Sequence, residues 1–286
     1  MKKVFKIILL IIIVFLLLLY VALPVTLGFI STLKYNKKTP NMPSYMNSVN
    51  IKTDDNVNLS AWYLEPKNGA LVILLHGASS SKEALIKHIE MLSEKDYGVL
   101  AFDFRGHGES TGDGANLFNW DSEKDIDAVI EYLNEKNIKN IGALGLSLGG
   151  EAILSYAYNN NISAIVSEGA SERSIKDYVE LDENKPLIRN YFTKLMYLSA
   201  GFFSGRKEPI SIKESIVNST SVKFLLIGSK KISKEIKYNE YYKTLIPNDI
   251  DLWLIDDCSH TDGINHLKEE YYSRVINFFD ENLLGN

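Results

Sequence analysis

The stretch Ile141-Gly142-Ala143-Leu144-Gly145-Leu146-Ser147-Leu148-Gly149-Gly150 decides how the rest of the chain reads. An apolar run ends in Gly-x-Ser-x-Gly, and a helical pattern follows over 150–158. A serine at a sharp strand-to-helix turn carries its oxygen exposed above a sheet. Glycines beside it let neighbouring backbones pass where a side chain would clash. The pattern predicts a strand over Ile141–Leu144 and marks Ser147 as a candidate nucleophile. A purely structural glycine turn is the alternative, and the surroundings must separate the two.

Upstream, Leu71–Leu75 is continuously apolar, as are Val99–Phe102, Ala164–Val166, Phe224–Ile227 and Leu252–Ile255 further along. Such runs suit strands buried on both faces of a parallel sheet. Helical spacing fills most of the gaps, with Leu85, Ile89 and Leu92 in one and Ile126, Val129, Ile130 and Leu133 in another. Further helices are expected over 234–245 and 266–284. Strands alternating with helices predict an α/β fold with a mostly parallel sheet and helices on both faces. Val49–Tyr63 alternates around the turn Asp54-Asp55-Asn56, which predicts a hairpin at the antiparallel edge. Residues 171–215 break the alternation and hold Tyr178, Tyr191, Phe192, Tyr197, Phe202 and Phe203. A small helical cap insertion lining a mostly apolar pocket is expected there.

Two loops complete the chemistry. His76-Gly77-Ala78 follows the Leu71–Leu75 strand, so the N–H groups of Ala78 and Leu148 are the candidate pair for an oxyanion hole. His260, in the loop after the Leu252–Ile255 strand, is the candidate base for Ser147. His76 reads as structural, because it sits on the loop that builds the hole.

These landmarks, with Ala61-Trp62-Tyr63 and Asp103-Phe104-Arg105-Gly106-His107-Gly108-Glu109-Ser110, resemble the α/β-hydrolase superfamily from about Val49 to Leu284. The resemblance implies a serine hydrolase acting on an ester, thioester or amide through an acyl-enzyme on Ser147, with structural roles for Asp103, Arg105 and His107. It also implies the chain order serine, acid, histidine. In many relatives the acid lies about three residues beyond a glycine closing the seventh strand. Here Gly228-Ser229-Lys230-Lys231 puts Lys231 at that place. Glu235 is the leading candidate acid and Glu168, ending the sixth strand, the alternate. The displaced acid keeps open a non-catalytic binding or scaffold protein of the same fold, and acyl transfer to an acceptor other than water is a further option. Dehalogenase and epoxide hydrolase relatives are disfavoured, since their aspartate nucleophile is replaced by Ser147.

Composition bounds the rest. The chain has 286 residues and a formal net charge of -5, which disfavours nucleic acid as a partner. Cys258 is the sole cysteine, so an internal disulfide and a multi-thiolate metal site are excluded; no metal or organic cofactor is expected. Lys2, Lys3 and Lys6 precede an apolar run over 7–30, long enough to cross a bilayer. The run exceeds the core of a cleaved signal peptide. Residues 1–33 are therefore expected to be an uncleaved, single-pass signal anchor, 34–47 a linker with Pro40 and Pro43, and 48–286 the hydrolase domain. Lys34, Lys37 and Lys38 nearly balance the leading lysines, but a short basic start favours an extracytoplasmic domain. Tethering makes lipid-like substrates or nearby peptides candidates beside small molecules.

Overall fold

The computed structural model describes residues 2–35, 42–113, 118–181 and 187–285. Lys37, Lys38 and Pro40 of the expected linker, and 182–186 of the expected cap, lie outside them. The chain enters as one long apolar helix, α1 (Lys2–Leu17), a π-helical turn over Leu18–Ala22 and α2 (Leu23–Ile30). Among the described residues it is the one helix long and apolar enough to cross a membrane.

The rest is one eight-stranded sheet. In sequence its strands are β1 (Asn47–Lys52), β2 (Asn58–Leu64), β3 (Ala70–Leu75), β4 (Gly98–Phe102), β5 (Asn140–Leu146), β6 (Ala164–Glu168), β7 (Lys223–Ser229) and β8 (Ile250–Ile255). In space they run β1-β2-β4-β3-β5-β6-β7-β8. The hairpin pairs antiparallel, Val49 opposite Ala61, and β2 meets β4 antiparallel. From β4 to β8 every pairing is parallel. All six residues of β3 are buried, which explains its unbroken apolar run.

Helices cover both faces. On one, α3 (Ile86–Ser93) and α11 (Lys268–Phe279) bring Ile89, Leu92, Tyr271, Val275 and Phe279 onto Val72, Leu74, Leu144 and Val166. On the other, α4 (Ser122–Glu135), α5 (Leu148–Tyr156), α8 (Ile212–Asn218) and α9 (Ser233–Leu245) bury Ile126, Val129, Ile153, Ile216, Tyr238 and Tyr242 against Ile73, Ile165 and Leu226. Each such aliphatic or aromatic side chain contributes about 1.5–3 kcal/mol when fully buried. The short helix α10 (Gly263–His266) links β8 to α11.

The strand order reverses beside β3. The chain leaves β3 for β4 on one side, then crosses back to β5 on the other. Ligands in open α/β sheets bind beyond the carboxyl ends of strands at such a switch point. Ala78 follows β3 and Ser147 follows β5, so the topology brings both to that crevice.

The expected cap region forms α6 (Ile175–Leu181) and α7 (Leu187–Ser204), followed by α8. The long helix α7 packs chiefly against α2. At their crossing a Cβ on Gly28 would lie 2.5 Å from the carbonyl oxygen of Met196, so only glycine permits the approach. The Ser199 hydroxyl donates to the Val25 carbonyl at 2.8 Å. The expected linker is also tied to the domain: Tyr35 N–H donates to the Gly106 carbonyl at 2.8 Å, and Gly108 N–H returns a bond to Tyr35 at 3.2 Å.

Candidate active site

Ser147 stands between β5 and α5 with φ 51° and ψ −115°, a conformation that costs a non-glycine residue on the order of 1–3 kcal/mol. The strain is sustained from both sides. Ser147 N–H donates to the Glu168 carbonyl at 2.8 Å, and its carbonyl accepts from Glu151 N–H at 2.8 Å. The turn also requires its glycines. A Cβ on Gly145 would lie 2.4 Å from the Gly149 backbone, and one on Gly149 would lie 2.3 Å from the Leu75 carbonyl oxygen.

The loop after β8 brings His260 over this serine. Nε2 lies 2.9 Å from Ser147 Oγ, and Nδ1 lies 2.6 Å from Glu235 Oε1. Glu235 is buried in the first turn of α9, and its other oxygen accepts Ser229 N–H at 2.7 Å. The carboxylate is thus fixed by the end of β7 before it meets the imidazole. Its hydrogen bond raises the His260 pKa above the ordinary 6.5, against the opposing effect of burial.

Glu168 is placed differently. Oε1 accepts Gly263 N–H at 2.8 Å and Oε2 accepts the Tyr271 hydroxyl at 2.8 Å. Burial pushes its carboxyl pKa up. It ties β6 to the loop that carries His260, while Glu235 makes the contact with the ring. Ala78 and Leu148 line the same small pocket as Ser147 and His260, about 270 Å³ in volume. Leu148 opens α5, so its N–H is one that the helix itself leaves unsatisfied.

The neighbouring motif residues form scaffolding. His76 is fully buried, its Nε2 accepts Phe104 N–H at 3.1 Å, and burial lowers its pKa to about 3. Asp103, also fully buried, accepts Lys82 Nζ at 2.6 Å, Lys82 N–H at 2.7 Å and Glu109 N–H at 2.9 Å. Arg105 donates to Asp125 at 2.7 Å and to Asp55 at 2.7 Å.

The structure adds residues that spacing did not single out. Glu151, Ser171 and Lys234 line the serine pocket, and Ser171 donates to Glu151 Oε1 at 2.9 Å. Glu151 lies one helical turn beyond Ser147, and that i+4 spacing was the available signal. An apolar pocket does lie along the 171–215 region, but away from Ser147. A cavity of about 730 Å³ is lined by Trp120, Ile175, Tyr197, Leu198, Phe202 and Arg206 among others, and shares no described lining residue with the serine pocket. The physical reason is that α7 is held between two partners. Tyr197 packs on Phe118 at 4.7 Å, and the far side of the helix meets α2.

Residues 70–201 match the family model described as alpha/beta hydrolase fold. The Escherichia coli O157:H7 protein YfhR is 24% identical over 239 residues, covering 81% of this chain and 79% of YfhR. Protein phosphatase methylesterase 1 of Candida albicans is 35% identical over 102 residues, 33% of this chain and 27% of that protein. Among solved structures, an esterase of Pyrococcus furiosus superposes with a TM-score of 0.67 at 25% identity, covering 88% of this chain and 99% of its own. The fold is that of the α/β hydrolases, and these similarities support the α/β-hydrolase superfamily. Its relatives support a hydrolase in general terms, and small molecules as substrates.

Proposed function

We propose that this chain is a membrane-tethered serine hydrolase that cleaves an ester, thioester or amide bond. The observation that carries the reading is His260 bridging Ser147 and Glu235 at 2.9 and 2.6 Å. Ser147 Oγ attacks the substrate carbonyl carbon while His260 Nε2 takes its proton. The oxyanion accepts the N–H groups of Ala78 and Leu148. The bond to the leaving group breaks, and His260 returns the proton to it. Water, deprotonated by the same imidazole, then releases the acid and restores the serine. Glu235 holds the Nδ1–H tautomer and stabilises the imidazolium. Every group required comes from the chain, and no cofactor enters.

The small pocket at Ser147 favours a compact group on one side of the scissile bond, and esters are the first class to assay. The helix Lys2–Ile30 supplies the tether. Lys2, Lys3 and Lys6 on the cytoplasmic side put the hydrolase domain on the other.

A fluorophosphonate probe tests the mechanism. The intact protein should form a covalent adduct, and folded Ser147→Ala should form none. An adduct of equal yield on the alanine variant would sink the assignment.

The pH profile offers a second check. The base must be neutral, and His260 is held above its ordinary pKa. kcat/KM for ester hydrolysis should therefore fall on the acid side with a midpoint above about 6.5. A midpoint well below that value would contradict the Glu235–His260 pairing.

A further inference from the structure

The long helix α7 has a second apolar face besides the one it turns to the domain. Ile188, Tyr191, Leu195, Leu198 and Phe202 recur at intervals of three and four, so they share one stripe. Leu198 is 71% exposed and Phe202 82%. Beyond the first 45 residues, the large apolar side chains that stand exposed among the described residues are Val179, Ile188, Tyr191, Leu198, Phe202, Phe203 and Val217. Five of those seven belong to α7. Scattered exposed apolar residues are ordinary, but a run of them along one helix marks an interaction surface.

The stripe adjoins the anchor. Met196, Ser199 and Phe203 meet α2 on the neighbouring face of α7. The Phe202 ring stacks edge-on to Phe203 at 5.3 Å, and Phe203 stacks edge-on to Phe29 at 5.1 Å. An unbroken aromatic path thus runs from the exposed stripe to the apolar helix Lys2–Ile30.

Length fixes the level at which the two meet. At 1.5 Å per residue the 29-residue helix spans about 43 Å, and a bilayer's hydrocarbon core takes about 30 Å, or 20 residues. Counted from Ile7, just past the leading lysines, the core ends near Thr26. The α7 contacts at Val25, Gly28 and Phe29 therefore fall at the border of hydrocarbon and headgroups. Aromatic side chains favour that layer, and an amphipathic helix lies in it with its apolar face down. Lys194 and Lys207, both exposed, stand where they can reach anionic headgroups.

We propose that α7 lies in the bilayer interface beside the anchor, with Ile188, Tyr191, Leu198 and Phe202 among the outer acyl segments, so that the hydrolase domain is seated on the membrane rather than suspended from it. The proposal rests on the anchor reading above. The cavity lined by Leu198 and Phe202 opens on the same face and so meets lipid.

The test uses the full chain in vesicles of three parts phosphatidylcholine to one part phosphatidylglycerol, with a fluorophore on Phe202→Cys or Leu198→Cys. Both sites are exposed, and the native Cys258 is buried. Labels on Leu17→Cys and Lys139→Cys report the anchor and a distant loop. The 198 and 202 labels should lose most of their emission to lipids carrying a nitroxide near the headgroup, and resist iodide in the water. The label at 17 should respond most to a nitroxide deep in the acyl chain, and that at 139 to iodide alone. Lipid quenching at 17 with only iodide quenching at 198 and 202 would overturn the seat and leave the anchor standing. Shielding of 198 and 202 from both quenchers would overturn it in favour of a protein partner, such as a second copy. Absence of lipid quenching at 17 would remove the anchor and the seat together.

Discussion

Glu235→Gln is expected to lower kcat for ester hydrolysis about 10,000-fold, the cost of removing the carboxylate that orients a catalytic imidazole. The amide keeps the shape, but its NH₂ presents a donor to Nδ1 and favours the wrong tautomer. The same change withdraws the main cause of the raised His260 pKa, so the acid limb of any residual activity should move down in pH. Glu168→Gln should behave otherwise. Its carboxylate accepts Gly263 N–H and the Tyr271 hydroxyl, and the amide retains one acceptor for the two donors. The expected result is a loss of about 1–3 kcal/mol in stability with a far smaller loss in kcat. Steady-state kinetics and thermal unfolding on both variants decide the matter. If Glu168→Gln carries the 10,000-fold loss and Glu235→Gln stays active, the acid has been assigned to the wrong residue.

The second large effect is on stability. Asp103→Ala should destabilise the folded chain by about 3–5 kcal/mol, the cost of breaking a buried ion pair. Lys82 and Asp103 are both fully buried, and the ammonium also lies 5.3 Å over the Trp62 ring. Alanine leaves the charge with Glu109 Oε2 and Ser60 Oγ, each at 3.1 Å, and strands the N–H groups of Lys82 and Glu109. For a domain of this size the melting temperature should fall by roughly 2–4 °C per kcal/mol. A fall of less than about 3 °C in the full chain would contradict the structural role. The loop also holds His76 through Phe104 N–H, so a milder loss of activity should accompany the unfolding.

How much of this was legible in the sequence depended on how local each signal was. The sheet was readable because buried parallel strands write continuous apolar runs, as Leu71–Leu75 does. Ser147 was readable because the turn that exposes it needs Gly145 and Gly149 within two residues on either side. His260 followed from its place after the last strand. Glu235 was harder, because Lys231 occupies the habitual position. The carboxylate instead reaches back from the first turn of α9 to Ser229, and only the pairing of β7 with β8 brings it to His260. The position of α7 left no trace in local spacing. It depends on Gly28 meeting Met196 and Ser199, about 170 residues away. The same contact explains why the aromatic cavity is not above the serine.

That contact also bears on how the protein can be handled. A common route to a form that stays in water is to delete a long apolar N-terminal helix. Here the deletion would strip Met196, Ser199 and Phe203 of their cover and add them to a surface already rich in exposed Leu and Phe. Protein shortened in this way would tend to self-associate through α7, and its yield and monodispersity would report on that bare helix more than on the chemistry at Ser147. Residues 2–30 therefore cover one apolar face of α7, and a fragment lacking them would need detergent or another amphiphile over that face.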